Sequence, residues 1–102
     1  MIEHIDISSV HTVIDDKLHK YILKKVGGLD KFLPRYKRAD ARAEVRISED
    51  KAADGKCFHC AIELLVPGEP LRASEPATNP FSAVDIAEAT IKHQLAKTKR
   101  RD

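Results

Sequence analysis

Two cysteines and a histidine stand together in the segment CFHC, residues 57–60, and could support metal or redox chemistry. A structural zinc site needs four ligands, usually supplied as two such pairs, and the sequence contains no second pair. On an extended strand, Cys57 and His59 point to one side and Cys60 to the other. Redox Cys-x-x-Cys motifs depend on a helix N-terminus, which the local pattern does not offer. We interpret both cysteines as packing thiols, with zinc and redox roles as the alternatives, and expect no metal and no cofactor.

The sequence has no G-x-S-x-G, no Walker loop and no H-E-x-x-H, which are motifs with a known catalytic geometry. Ser8, Ser9 and His11 lie close together, but nothing orients a base toward a nucleophile. We therefore predict that the chain is not an enzyme and has no small-molecule substrate.

Basic side chains are concentrated in two segments, although the net charge of the 102 residues is only +2. In the first segment, the steps between Lys17, Lys20, Lys24 and Lys31 are typical of one helix face, and Lys25 borders that face. The basic side chains of the second segment, the C-terminal KHQLAKTKRRD, are Lys92, His93, Lys97, Lys99, Arg100 and Arg101. Both sets are candidate phosphate-binding residues.

Each basic segment alone could be an ordinary solvated helix face, since Lys and Arg near a helix C-terminus stabilise it by about 0.3–1 kcal/mol. Placed side by side without interleaved carboxylates, however, the two segments should repel each other. A sugar-phosphate backbone lying over them would relieve that repulsion by releasing counterions. We predict binding of structured RNA through its shape and phosphate spacing. An anionic membrane fits less well, because no exposed apolar face accompanies the charge.

Hydrophobic periodicity indicates the elements that carry these residues. A short strand near residues 2–8 precedes a helix capped by Asp15, and Gly27-Gly28 should bend or end that helix before it restarts at LDKFL. Strand patterns follow in ADARAEVRI, CFHCAIELLV and PLRAS, with SEDKAADGK as a polar hairpin connection. Asn79 and Pro80 should open the final helix, whose inner face is predicted to contain Val84, Ala87, Ile91, Leu95 and Thr98.

This order, β-α-β-β-β-α, predicts an α+β two-layer sandwich, in which a four-stranded sheet carries two helices on one face. The chain length predicts one domain spanning residues 1–102. No run approaches the ~20 apolar residues that span a bilayer, and the N-terminus lacks a signal-peptide pattern. We therefore expect a cytoplasmic protein.

The order of elements and both helices resemble the ribosome hibernation promoting factor and ribosome-associated inhibitor family, also called ribosomal subunit interface proteins. The resemblance of the final helix rests on Phe81, Ala83, Val84, Asp85, Ile91, Gln94, Leu95, Lys97 and Lys99. That of the first helix rests on Leu18, Tyr21, Ile22, Lys25, Leu29 and Phe32. The chain departs from the family at Thr90 and His93, where Lys and Arg are common, and at Gly27-Gly28.

The resemblance implies a fold like that of a double-stranded-RNA-binding domain with an added first strand. It also implies binding to the small ribosomal subunit, both 16S-type rRNA and ribosomal proteins, in the channel of mRNA and the A- and P-site tRNAs. Contacts carried over by position would come from Lys20, Lys24, Lys25, His93, Lys97, Lys99 and Arg100. The chain resembles the short family type, without the C-terminal domain that pairs ribosomes, and we expect a monomer off the ribosome.

Two other functions stay open. A generic double-stranded-RNA-binding module would bind naked duplex as tightly as ribosomes. A protein-interaction regulator would use the uncovered sheet face, where Asp40, Arg42, Glu44 and Arg46 offer mixed charge.

Overall fold

A computed structural model describes residues 2–33, 35, 39–52, 55–66, 68 and 70–99 of the chain, and of residues 51, 52, 56, 98 and 99 it describes the backbone alone. The elements follow the predicted order and are β1 (His4–Val10), α1 (Asp16–Gly27), a short 3₁₀ helix (Gly28–Phe32), β2 (Arg42–Ala52), β3 (Gly55–Leu65), β4 (Leu71–Ala77) and α2 (Pro80–Lys99).

The four strands form one mixed sheet in the order β1-β2-β3-β4. Strand β1 is parallel to β2, whereas β2, β3 and β4 form an antiparallel meander. Along β2, Ala43, Val45 and Ile47 are buried and the residues between them are exposed. The buried residues form one core cluster with residues of α1 and α2. Both helices therefore cover the same face of the sheet, which confirms the predicted α+β sandwich.

Helix α1 begins where its cap was predicted. The Asp15 carboxylate accepts a hydrogen bond from the backbone N–H of Leu18 at 2.8 Å, which satisfies one of the free donors of the first turn. Leu18, Ile22 and Val26 then form its buried stripe. The helix ends at Gly27 and the chain continues as the 3₁₀ helix, with Leu29 buried. This confirms the expected break at the glycine pair. The sequence also predicts that Pro34 ends this helical segment, and Pro34 lies outside the described residues.

The predicted polar connection SEDKAADGK was wrong, because the β2–β3 ladder runs through most of it. Asp50 pairs with Cys57 and Ala52 with Gly55, so that only residues 53 and 54 separate the strands. Backbone hydrogen bonds between strands form whether or not the side chains are apolar. Two paired strands of polar residues therefore show no alternation of apolar and polar residues in the sequence. Gly55 has a φ of +127°, a conformation that side chains disfavour.

Helix α2 opens as predicted, with the Asn79 side chain accepting a hydrogen bond from the backbone N–H of Ser82 at 2.8 Å. Its buried face contains Ala83, Val84, Ala87, Glu88, Ile91 and Leu95. The predicted inner residues Val84, Ala87, Ile91 and Leu95 are confirmed, and the side chain of Thr98 is not among those described. No helix within the described part of the chain is long and apolar enough to cross a membrane.

Candidate nucleic-acid interface

Helices α1 and α2 lie side by side and run in the same direction. The Tyr21 ring meets the Phe81 ring edge-on, with centroids 5.2 Å apart. Further along both helices, Lys25 Nζ lies 3.4 Å from Asp85 Oδ1. Beyond α1, the Phe32 ring lies 5.6 Å from Lys92 Nζ, within cation–π range. Because these contacts ascend together in both segments, the two helices run parallel, and α1 ends at Gly27 beside the middle of α2, which continues to Lys99.

Two carboxylates lie in the seam between the helices. Glu88 is 6% exposed, and its oxygens are 3.2 Å from Lys92 Nζ and 3.7 Å from Lys25 Nζ. Asp85, one turn earlier, pairs with Lys25 as well. The expectation that no carboxylate separates the basic segments was therefore wrong. A buried carboxylate is tolerated only when paired, and Lys25 and Lys92 supply that pairing from two helices.

These ion pairs set Lys25 and Lys92 apart from the other predicted RNA-binding residues. Burial lowers the pKa of Lys25, but attraction by Glu88 and the contact with Asp85 outweigh it, so that the pKa is raised. The side chain of Lys25 is 30% exposed and that of Lys92 is 43% exposed. Lys25 joins α1 to α2 through its ion pairs, whereas Lys92 pairs within α2 and contacts Phe32 of the 3₁₀ helix.

Tyr21 completes the seam. Its hydroxyl donates a hydrogen bond to Asp85. That bond, then burial and the negative charge of Asp85, raises the pKa of Tyr21. The phenol therefore keeps its proton, and Asp85 keeps a donor, to a higher pH than in an isolated tyrosine.

We predict that this seam weakens at alkaline pH. The pKa values of Tyr21 and Lys25 are both raised in the folded state, so the stability they contribute is fully present below their ordinary values near 10 and is lost as pH rises through the raised values. Tyr21→Phe should be less stable than the wild type at pH 7, and its stability should fall less steeply above about pH 10. Urea denaturation across this pH range measures both effects. Equal slopes in the two proteins would show that the hydroxyl plays no part.

The exposed cations form the remaining part of the predicted site. The exposed residues are Lys17, Lys20, Lys24, Lys31, His93 and Lys97. Among the residues that the structure describes, neither Lys24 nor Lys97 has a carboxylate within ion-pair distance. The side chain of Lys99, together with Arg100 and Arg101, lies outside what the structure describes. The structure thus divides the predicted cations into those in the seam and those facing solvent.

A groove lies beside the first basic segment, and the spacing of residues in the sequence did not predict it. Lys20, Lys24 and Lys31 line it, together with Asp30, and its volume is about 460 Å³. Leu23 and the Gly27-Gly28 pair complete its lining. Apolar atoms and backbone thus line a cavity whose charged groups are mainly lysines. The unusual glycine pair was the one signal in the sequence that could have indicated it.

The CFHC segment lies on β3, and the structure separates its side chains as expected. Cys60 is fully buried on the helix-covered face, whereas Cys57 is half-buried and both thiols are free. His59 Nδ1 lies 3.3 Å from Asp50 Oδ2, but not in hydrogen-bonding geometry. Within the described residues, no group of three His, Cys, Asp or Glu side chains is arranged to hold a metal ion.

We predict that the two thiols differ in reactivity. Burial raises the pKa of Cys60 to about 12, and only the thiolate reacts with alkylating reagents. Iodoacetamide at pH 8 should therefore modify Cys57 in the folded protein and Cys60 only in denaturant, as measured by mass spectrometry of proteolytic fragments. A Cys57→Ser variant should remain unmodified until it unfolds. Rapid labelling of that folded variant would contradict the buried position of Cys60.

Comparison with known proteins agrees with the fold. Residues 5–102 match the model of the family described as sigma 54 modulation protein / S30EA ribosomal protein. The Thermus thermophilus Protein Y N-terminal domain is similar in structure, with a TM-score of 0.74 and 22% identity over 91% of this chain and 94% of that one. A ribosomal subunit interface protein from Coxiella burnetii gives a TM-score of 0.76 and 19% identity over 95% and 98% of the two chains. The comparison with curated protein sequences gave no match.

Proposed function

Since the chain belongs to the sigma 54 modulation protein / S30EA ribosomal protein family, we propose that it is a ribosome-associated regulator of translation that binds rRNA of the small subunit through its two basic helices. The family membership agrees with the resemblance seen in the sequence. The Coxiella burnetii neighbour, named a ribosomal subunit interface protein, supports the same class of partner. Such a protein would act in the cytoplasm, where ribosomes are.

The observation that carries this proposal is the set of exposed cations on two parallel helices. Lys24 lies in the last turn of α1, and Lys97 is in the last turns of α2. Lys25 lies beside Asp85, so Lys97, further along α2, lies roughly 18 Å beyond that level, and the two charges would contact different phosphates of one RNA. Phosphates spaced along a folded RNA fit such a surface and release counterions on binding.

The mechanism that we propose is occupancy. The protein would exclude mRNA and the A- and P-site tRNAs by lying in the channel that they use, and it would thereby prevent idle ribosomes from translating. Among the residues that the structure describes, the aromatic rings at the two helices already contact other side chains, Tyr21 with Phe81 and Phe32 with Lys92. Stacking of bases on aromatic rings is therefore not the main source of affinity, and phosphate contacts should dominate.

Sedimentation tests the proposal. The full chain is mixed with purified small and large ribosomal subunits in turn and centrifuged through sucrose gradients at low and high salt. We expect comigration with the small subunit at low salt and release at high salt, because the contacts are electrostatic. Comigration with the large subunit alone would contradict the proposal. Equal affinity for naked duplex RNA in a competition gel shift would favour the generic RNA-binding module.

The uncovered face of the sheet favours a second candidate, a protein-binding surface. It contains a groove of about 480 Å³ lined by residues of all four strands, including Arg46 and Arg72. Across β1, β2 and β3, Asp6, Glu44 and Glu63 are direct neighbours in the register. Glu63 pairs with Arg72 at 3.4 Å, whereas the adjacent like charges of Asp6 and Glu44 are destabilising, and a partner carrying cations would offset them. Binding of a ribosomal protein in the absence of RNA, lost in Glu44→Lys while binding to small-subunit rRNA is unchanged, would favour this candidate.

A further inference from the structure

Gly28 is a glycine that neither its backbone nor its packing requires. Its φ of −75° and ψ of −7° are right-handed helical values, which any L-residue adopts. A Cβ placed there would meet no heavy atom of the described structure within 4 Å. Alanine at such a position is normally more stable than glycine. The missing side chain therefore has no evident role within the part of the chain that the structure describes, and its absence leaves space over the backbone.

The space left open at Gly28 is the groove beside the first basic segment. Its volume, about 460 Å³, falls within the range of small-ligand sites, about 300–1,000 Å³. Leu23, which is half-buried, and the two glycines offer apolar atoms and flat peptide surface. The charged groups of the lining are three lysines and one carboxylate. This combination suits a flat, weakly polar group attached to an anionic chain.

We propose that the groove over Gly28 binds one unstacked nucleotide of the RNA. The base lies against Leu23 and the glycine backbone, and the flanking phosphates lie at Lys20 and Lys24. This site rests on the proposed function, and it adds contact with a base to a surface that otherwise contacts phosphates. An unpaired base offers its flat face without the cost of opening a duplex, so the site selects bulges and loops over regular helices.

Charge complementarity favours RNA over a protein segment in this groove. Three ammonium groups against a single carboxylate would repel the basic segments that many RNA-associated proteins carry. An acidic peptide would match the charge, and it is therefore included as a competitor in the test. The nucleotide combines both features that the groove offers, an anionic backbone and a flat apolar face.

The test uses two variants and two matched RNA hairpins. Gly28→Leu fills the groove, and because the site is open it should fold as the wild type does, which thermal denaturation checks. His19→Leu is the control, since it adds a similar side chain at an exposed position of α1 outside the groove. One hairpin has a single bulged adenosine, and the other has an abasic residue at the same position, with identical phosphates.

We expect the wild type and His19→Leu to bind the bulged hairpin about tenfold more tightly than the abasic one by fluorescence anisotropy, a difference equivalent to ~1.4 kcal/mol. Gly28→Leu should bind both hairpins with the affinity that the wild type has for the abasic one. Equal affinities in the wild type, or full discrimination in Gly28→Leu, would overturn the inference. So would displacement of the bulged hairpin by poly-glutamate at a lower concentration than by poly-adenosine.

The same variants on ribosomes separate this inference from the proposed function. If the wild type and Gly28→Leu bind small subunits equally well, the nucleotide site is wrong and the proposed function stands. If the wild type fails to bind small subunits at all, the proposed function is wrong, and the hairpin comparison still decides whether the groove accepts a base. A roughly tenfold weaker binding of Gly28→Leu to small subunits, with His19→Leu unchanged, supports both.

Discussion

Reversing two exposed charges, in the double variant Lys24→Glu and Lys97→Glu, should weaken binding to the small subunit by at least about a hundredfold. Both side chains are exposed, and neither has an ion-pair partner among the residues that the structure describes. Each reversal removes a phosphate contact and adds a repulsive charge. The slope of log affinity against log salt should also fall in magnitude by about 1.4–1.8 for the two lost contacts. Filter binding across a salt series measures both quantities.

Two variants serve as controls for this result. Arg42→Glu changes the same type of charge on the uncovered sheet face and should alter affinity less than about threefold, since it lies outside the helical surface. Lys25→Ala removes a cation from the seam between the helices and leaves the buried Glu88 with fewer partners. It should therefore lower the free energy of unfolding by more than it lowers the free energy of binding to the small subunit. If Arg42→Glu loses as much affinity as the double variant, the helices are not the binding surface.

The second large effect concerns stability. Ile22→Ala should lower the free energy of unfolding by about 2–5 kcal/mol, because it removes a fully buried side chain and leaves a cavity. Ile22 anchors α1, which carries Lys20 and Lys24, to the core beneath it. Stabilities of single domains are about 5–15 kcal/mol, so this one change removes a large share. Equilibrium denaturation in urea, followed by circular dichroism, measures the difference.

Lys20→Ala is the matched control for Ile22→Ala, two residues earlier on the same helix and exposed. It should change the free energy of unfolding by no more than about 0.5 kcal/mol, while reducing affinity for RNA. Ile22→Ala should lower the free energy of unfolding and leave the affinity for RNA unchanged, when affinity is measured under conditions where the variant remains folded. A loss of stability in Lys20→Ala as large as that in Ile22→Ala would mean that the assignment of buried and exposed faces on α1 is wrong.

Much of the fold could be predicted from local patterns. Asp15 and Asn79 cap their helices as expected, because a cap depends on residues three positions apart. The alternation of Ala43, Val45 and Ile47 with charged residues correctly indicated which face of β2 is buried. The polar end of the β2–β3 ladder was missed, since backbone hydrogen bonds form between strands of any side chains and polar residues give no apolar alternation.

What the sequence determined by itself was the order of the elements, their buried faces and the presence of two basic helical segments, since all three depend on spacing along the chain. Only the tertiary structure decided which cations are available for a ligand. It brings Asp85 and Glu88 of α2 against Lys25 of α1, and it leaves Lys24 facing solvent beside the open groove at Gly28. Neighbouring lysines thus have different surroundings, because the position of a side chain relative to another helix is set by packing and not by its own periodicity.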